Sequence, residues 1–144
     1  MAKILLPVCL FLMAFSIITF SCVDHSIPSE DPVIETGNAS GVSGSDGIDM
    51  TFRFSFKNLG SKVNTLYGIT YIPYTTDLPN SELHWGDPGV FSEQFTAPYP
   101  PILGEVTQSH AKFPHKGAIY YRAFVIVDDK FVVYGEKKFY ILPK

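Results

Sequence analysis

From Ile48 to Lys57 apolar and polar positions alternate almost without a break. Ile48, Met50, Phe52, Phe54 and Phe56 fall on one side and Asp49, Thr51, Arg53, Ser55 and Lys57 on the other. A period of two with three aromatic residues on one face predicts a half-buried strand. Asn58-Leu59-Gly60-Ser61 supplies turn chemistry, and Val63 to Pro73 predicts the next strand, with Val63, Tyr67, Ile69 and Tyr71 in phase. Pro73 lacks an N–H and should end the ladder. Ala118 to Val127 and Lys130 to Leu142 are β-rich runs joined by Asp128-Asp129, the signature of a tight hairpin. Ile102 to Phe113 predicts a strand with a weak inward set of Thr107, Ser109, Ala111 and Phe113. Between Tyr74 and Pro101, SELHW and VFSEQF are each candidates for a short strand, separated by the turn-rich WGDPG and followed by APYPP. Asn38 to Gly47, rich in Gly and Ser, reads as an irregular edge or loop. Past the N-terminal apolar run no window of a dozen residues carries a capped 3.6-residue period, so no substantial helix is expected. About seven short strands imply an all-β sandwich.

The first 21 residues follow a different rule. Lys3 precedes an apolar run from Ile4 to Phe20 that only Pro7, Ser16 and Thr19 interrupt, the order of a secretory signal. Seventeen residues would barely span a bilayer core of roughly 30 Å, so a retained membrane helix is the alternative. The run ends in Thr19-Phe20-Ser21-Cys22, which resembles the lipobox of bacterial lipoproteins, although Thr19 stands where an aliphatic residue is usual and bulky Phe20 follows it. The resemblance implies cleavage before Cys22 and acylation of that residue, with residues 1–21 as signal peptide. Two or more acyl chains would anchor the protein stably to a bacterial membrane, the outer membrane in preference, with the domain outside the cytoplasm. Residues 22–32, polar and acidic with two prolines, suit an extended spacer.

Residues 33–144 are then expected to form one domain. The only other cysteine, Cys9, lies within the signal, so no internal disulfide is available and the core alone must stabilise the fold. The processed chain would carry 10 basic and 14 acidic side chains with no basic cluster beyond Lys137-Lys138, which argues against nucleic acid as a partner.

The segment FPHKGAIYYRAFVIVDDKFVVYGEKKFYI, Phe113 to Ile141, resembles the last two strands of fibronectin type III-like domains found in surface lipoproteins and glycan-uptake proteins of gut anaerobes. Phe113, Pro114, Gly117, Tyr120, Tyr121, Arg122, Ala123, Tyr134, Gly135, Glu136 and Phe139 carry the likeness, with Thr36-Gly37-Asn38-Ala39 and Tyr67-Gly68-Ile69-Thr70-Tyr71 upstream. It implies a single immunoglobulin-like β-sandwich. The chain departs from the family at Ile119, where a corner tyrosine often stands, and in the spread turn Pro114-His115-Lys116-Gly117.

No catalytic, cofactor or metal constellation emerges, and the chain is expected not to be an enzyme. There is no Gly-x-Ser-x-Gly elbow. Of His25, His84, His110 and His115 only the last two are close in sequence, and they read as surface histidines because a metal site needs three or four converging ligands. Aromatic residues remain as candidates for recognition. If Arg122 faces outward, Tyr120, Phe124 and Ile126 share its face, which is more apolar than a solvated sheet needs and implies cover by a loop, a partner or another domain. This points to an envelope accessory or adhesion module that binds a protein. The second expectation is a glycan-binding module that stacks sugar rings on Trp85, Tyr99 and Tyr74.

Overall fold

A computed structural model describes residues 29–75 and 82–144. The segment expected to be a signal peptide, Cys22 and most of the expected spacer lie outside the described residues. The described chain forms nine strands in two antiparallel sheets: β1 Val33–Thr36, β2 Ser40–Gly44, β3 Gly47–Asn58, β4 Asn64–Pro73, β5 Phe91–Gln94, β6 Gly104–Phe113, β7 Ala118–Val127, β8 Phe131–Tyr134 and β9 Lys138–Ile141. No helix occurs among the described residues. In the first sheet β3 is central, with β1 and β2 in line on one side and β6 on the other; the second sheet runs β5, β4, β7, with β8 and β9 in line along the far edge.

The alternation in β3 orders the core. Met50, Phe52, Phe54 and Phe56 are buried on one face and meet rings from the opposite sheet. Phe52 lies 5.9 Å from both Tyr71 and Tyr121, and Phe54 and Phe56 lie 5.6 and 5.5 Å from Tyr67. Edge-to-face and offset contacts of this kind contribute about 0.5–1.5 kcal/mol each beyond area burial. Ile119, Tyr121, Ala123, Val125 and Val127 of β7 complete the core from the other side.

The two strand-like edges that the sequence reads as continuous or irregular are both interrupted, which raises the strand count from about seven to nine. Asn38 to Gly47 is not a loop: β2 pairs with β3 around a turn at Ser45-Asp46. On the far edge, Phe124 faces Tyr134 but Tyr121 faces Lys138, so Gly135 to Lys137 hold one residue more than the strand opposite. That bulge leaves the buried Ala123 N–H without a ladder partner, and Thr36 Oγ1 accepts it at 3.0 Å from the end of β1. A Cβ on Gly135 would sit 2.5 Å from that hydroxyl, so only glycine fits. A second tie between the sheets comes from Tyr121, whose hydroxyl accepts from Ala39 N–H at 2.9 Å and donates to the Gly37 carbonyl at 3.2 Å.

Three expectations are corrected. The inward side of β6 carries Val106, Gln108 and His110 rather than Thr107, Ser109 and Ala111, because a bulge shifts the phase before Phe113. Lys112, at φ 55°, supplies it, with its N–H bonded to Asp49 Oδ1. Val63 is exposed rather than inward, since β4 starts at Asn64 and its register shifts before Leu66. SELHW forms no strand in its described part, whereas VFSEQF supplies β5. The hairpin turns where expected, with positive φ at Asp128 and Asp129 and Lys130 N–H bonded to the Val127 carbonyl, but Val127 pairs with Phe131, so Lys130 is a third residue outside the ladder and the register is shifted by one from that of a two-residue turn.

Candidate interaction surface

Strand pairing sets the outer face of the second sheet. Thr70 is paired with Arg122 and Gly68 with Phe124 across β4–β7, and Phe124 with Tyr134 across β7–β8, so Thr70, Arg122, Phe124 and Tyr134 project away from the core together. The connection from Glu82 to Val90 folds back over them. Leu83 is fully buried, and its carbonyl accepts from Arg122 Nε at 2.6 Å and from the Thr70 hydroxyl at 3.4 Å. The Arg122 guanidinium lies 3.8 Å from the Tyr134 ring centroid, and the Tyr134 hydroxyl accepts from the backbone N–H of Trp85 at 2.8 Å. The Trp85 indole then stacks on Phe124 at 6.2 Å and 28°. Burial holds the Arg122 pKa below its ordinary value, opposed by the Tyr134 side chain and by Glu82. Around the loop, His84 sits 3.2 Å from both Glu82 and Asp87.

Further along the same face no loop among the described residues covers the sheet. Tyr74, Tyr120 and Phe139 form an aromatic triad with centroid separations of 5.1 to 5.7 Å, and Lys137 Nζ lies 5.4 Å from the Tyr120 ring. Tyr74 is 43% and Phe139 48% exposed, and Ile141, on the same side of β9 as Phe139, is 70% exposed.

Five of the six candidate aromatic and basic residues, Tyr74, Trp85, Tyr120, Arg122 and Phe124, therefore share one face. Within it they divide. Phe124 is inaccessible beneath Trp85, and Arg122 turns under Leu83 instead of into solvent, so the cover over this part of the sheet is the chain's own loop. Tyr99 belongs elsewhere, in the connection between β5 and β6, where the preceding Pro98 carbonyl accepts from the Tyr67 hydroxyl. Tyr74, Trp85 and Tyr99 thus do not make one platform. Leu83, Tyr134 and Phe139 complete the face and are not among the interaction candidates that the sequence offers. A two-residue turn at Asp128-Asp129 would set Val133 opposite Phe124; Lys130 is also left out of the ladder, and Tyr134 takes that place instead.

The histidines also differ from expectation. His110 Nδ1 lies 2.7 Å from Glu93 Oε2, a carboxylate brought by β5 from 17 positions away. His115 is half-buried rather than on the surface, within 4.8 to 5.6 Å of the rings of Phe91, Phe113 and Tyr71, and its Nε2 is buried without a hydrogen-bond partner among the described residues. Burial, and secondarily His110, lowers its pKa from the ordinary imidazole value. Among the described residues no three His, Cys, Asp or Glu side chains converge as metal ligands would.

No protein-family model, curated protein or solved structure matches the chain.

Proposed function

We propose that this chain is a non-enzymatic accessory module of the bacterial cell envelope, lipid-anchored through Cys22, that binds a protein partner on the outer face of its second sheet. The observation that carries the reading is the division of that face. The chain covers Phe124 and Arg122 with its own Leu83–Trp85 segment yet leaves Tyr74, Phe139 and Ile141 in contact with solvent beside Tyr120 and Lys137. Clustered aromatics next to a cation are the composition of binding hot spots, and a monomer gains nothing by leaving them wet.

The strand order supports a fibronectin type III-like assignment. Taking β1 with β2 and β8 with β9 as interrupted single strands leaves seven, three in one sheet and four in the other. The central pair β4–β7 with β8/β9 beside it matches the C, F and G strands of immunoglobulin-like sandwiches, and β5 joins strand C instead of the opposite sheet. In the envelope of cells making the full chain, a photoactivatable residue at Phe139 should give a discrete crosslinked protein band that Tyr120→Ser abolishes, and the same residue at Val42 should give none. Equal crosslinking from both positions would refute the proposed binding face.

A second reading, glycan binding, has its own support. The Trp85 indole lies flat on the sheet, 40% exposed, beside the polar side chains of His84, Glu82 and Asp87, the pairing of a stacking platform with hydrogen-bond partners. Saturable glycan binding lost on Trp85→Ala would favour it over the protein-partner reading.

A further inference from the structure

The end of the sandwich from which the N-terminal segment leaves is its most apolar end. The Glu30 N–H and carbonyl bond to Ser61 Oγ and N–H, and Val33 pairs with Asn58, so the chain enters the fold beside the β3–β4 connection. That connection meets the β7–β8 turn through reciprocal bonds between Val63 and Asp128. β6 begins at Gly104 opposite Phe56, which puts Ile102 and Leu103 at the same end, and Phe95 N–H bonds to the Tyr67 carbonyl to bring in the segment bearing Tyr99. Of the twelve large apolar side chains that stand exposed among the described residues, six lie here: Val33, Val63, Tyr99, Ile102, Leu103 and Phe131, each more than half exposed.

Only seven residue steps separate Cys22 from Ser29, the first described residue. A fully extended chain covers roughly 3.3–3.6 Å per residue, so an anchor at Cys22 holds this end within about 25 Å of the acyl chains. We infer that the tethered end docks on the lipid surface, with Tyr99, Ile102 and Leu103 entering the interfacial layer beside the anchor. An aromatic ring with a polar tip next to two aliphatic side chains suits that layer. The charges at this end argue for apolar docking over attraction to anionic lipid: Lys57, Lys62 and Lys130 are outnumbered by Glu30, Asp31, Glu105, Asp128 and Asp129, and Lys62 and Lys57 are already paired with Asp31 and Glu35 at 2.7 Å. Docking here would also turn the Tyr74–Phe139 end of the second sheet away from the membrane, since β7 runs from Ala118, level with Ile141, to Val127 at the tethered end.

The inference rests on the anchor proposed above, and the test separates the two. The full chain, processed by its host and reconstituted into phosphatidylcholine vesicles, would carry an environment-sensitive fluorophore at Leu103→Cys or, as the distal reference, at Val42→Cys. The fluorophore at 103 should be blue-shifted and quenched by brominated acyl chains, unchanged by salt, and the one at 42 should show neither effect. Adding Ile102→Glu should return the 103 emission to that of an exposed site. An acylated, vesicle-bound chain whose 103 fluorophore is as wet as that at 42 overturns the docking and leaves the anchor intact. A chain without acyl mass that stays off vesicles overturns both.

Discussion

Replacing Arg122 with methionine tests whether this one side chain holds the Glu82–Val90 cover in place. Methionine keeps much of the apolar stem, which packs on the sheet, and removes the guanidinium. What is lost is the charge-assisted bond from Nε to the Leu83 carbonyl, about 1.5–3 kcal/mol for such a donor, and the stacking on Tyr134, about 0.5–2 kcal/mol for a cation over a ring. The two act on one loop and do not add, and burying the guanidinium carries a desolvation cost that the variant no longer bears. A net weakening of about 1–3 kcal/mol remains, which opens the loop roughly 5- to 150-fold more often. Trp85 is the only tryptophan in the chain and stacks on Phe124 inside this cover, so its emission reports the opening directly. Arg122→Met should shift the emission to longer wavelength and raise its quenching by acrylamide, while the far-ultraviolet signal of the sheets is retained. Unchanged emission and quenching in the folded variant would refute the argument that Arg122 fastens the loop.

Two further outcomes follow from the ties between the sheets and from the buried imidazole. Thr36→Val keeps the shape but leaves the Ala123 N–H without an acceptor, and should cost about 1–3 kcal/mol in urea unfolding, whereas Thr36→Ser, which retains the hydroxyl, should cost less; equal losses would contradict the role given to Oγ1. His115 has its pKa depressed in the fold, so the unfolded chain takes up the proton first as the pH falls below the ordinary value of 6.5, and stability drops from there down to the depressed folded value. His115→Phe, which preserves an aromatic ring among Phe91, Phe113 and Tyr71, should remove that part of the pH dependence, and parallel stability–pH curves for the two proteins would refute it.

The parts of this fold legible in the sequence are those where one residue's face decides its partner's. β3 is the clearest, because five alternating large residues leave only one phase in which the core can form, and Asp128-Asp129 marks where β7 turns back into β8, although the unpaired Lys130 shifts their register by one. β6 misleads because its bulge is made by Lys112 in a left-handed conformation, and nothing in the residue type announces a positive φ there. The far edge misleads for the opposite reason: Gly135 is conspicuous, but that it admits the Thr36 hydroxyl depends on a residue 99 positions away. At the candidate surface, alternation correctly puts Tyr120, Arg122, Phe124 and Ile126 on one face and their excess apolarity correctly signals a cover. The identity of the cover is not readable, since Glu82 to Val90 has neither period nor propensity and is held by one buried leucine, one carbonyl and one indole.

Everything proposed about location depends on Cys22, and the most direct test is the intact mass of the full chain extracted from membranes, compared with its Cys22→Ser form. The account predicts a mature chain that begins at Cys22 and carries added acyl mass, with no such species from the serine variant. An extracted chain that retains Met1, or that bears an unmodified Cys22, would contradict the envelope anchor and the docking built on it.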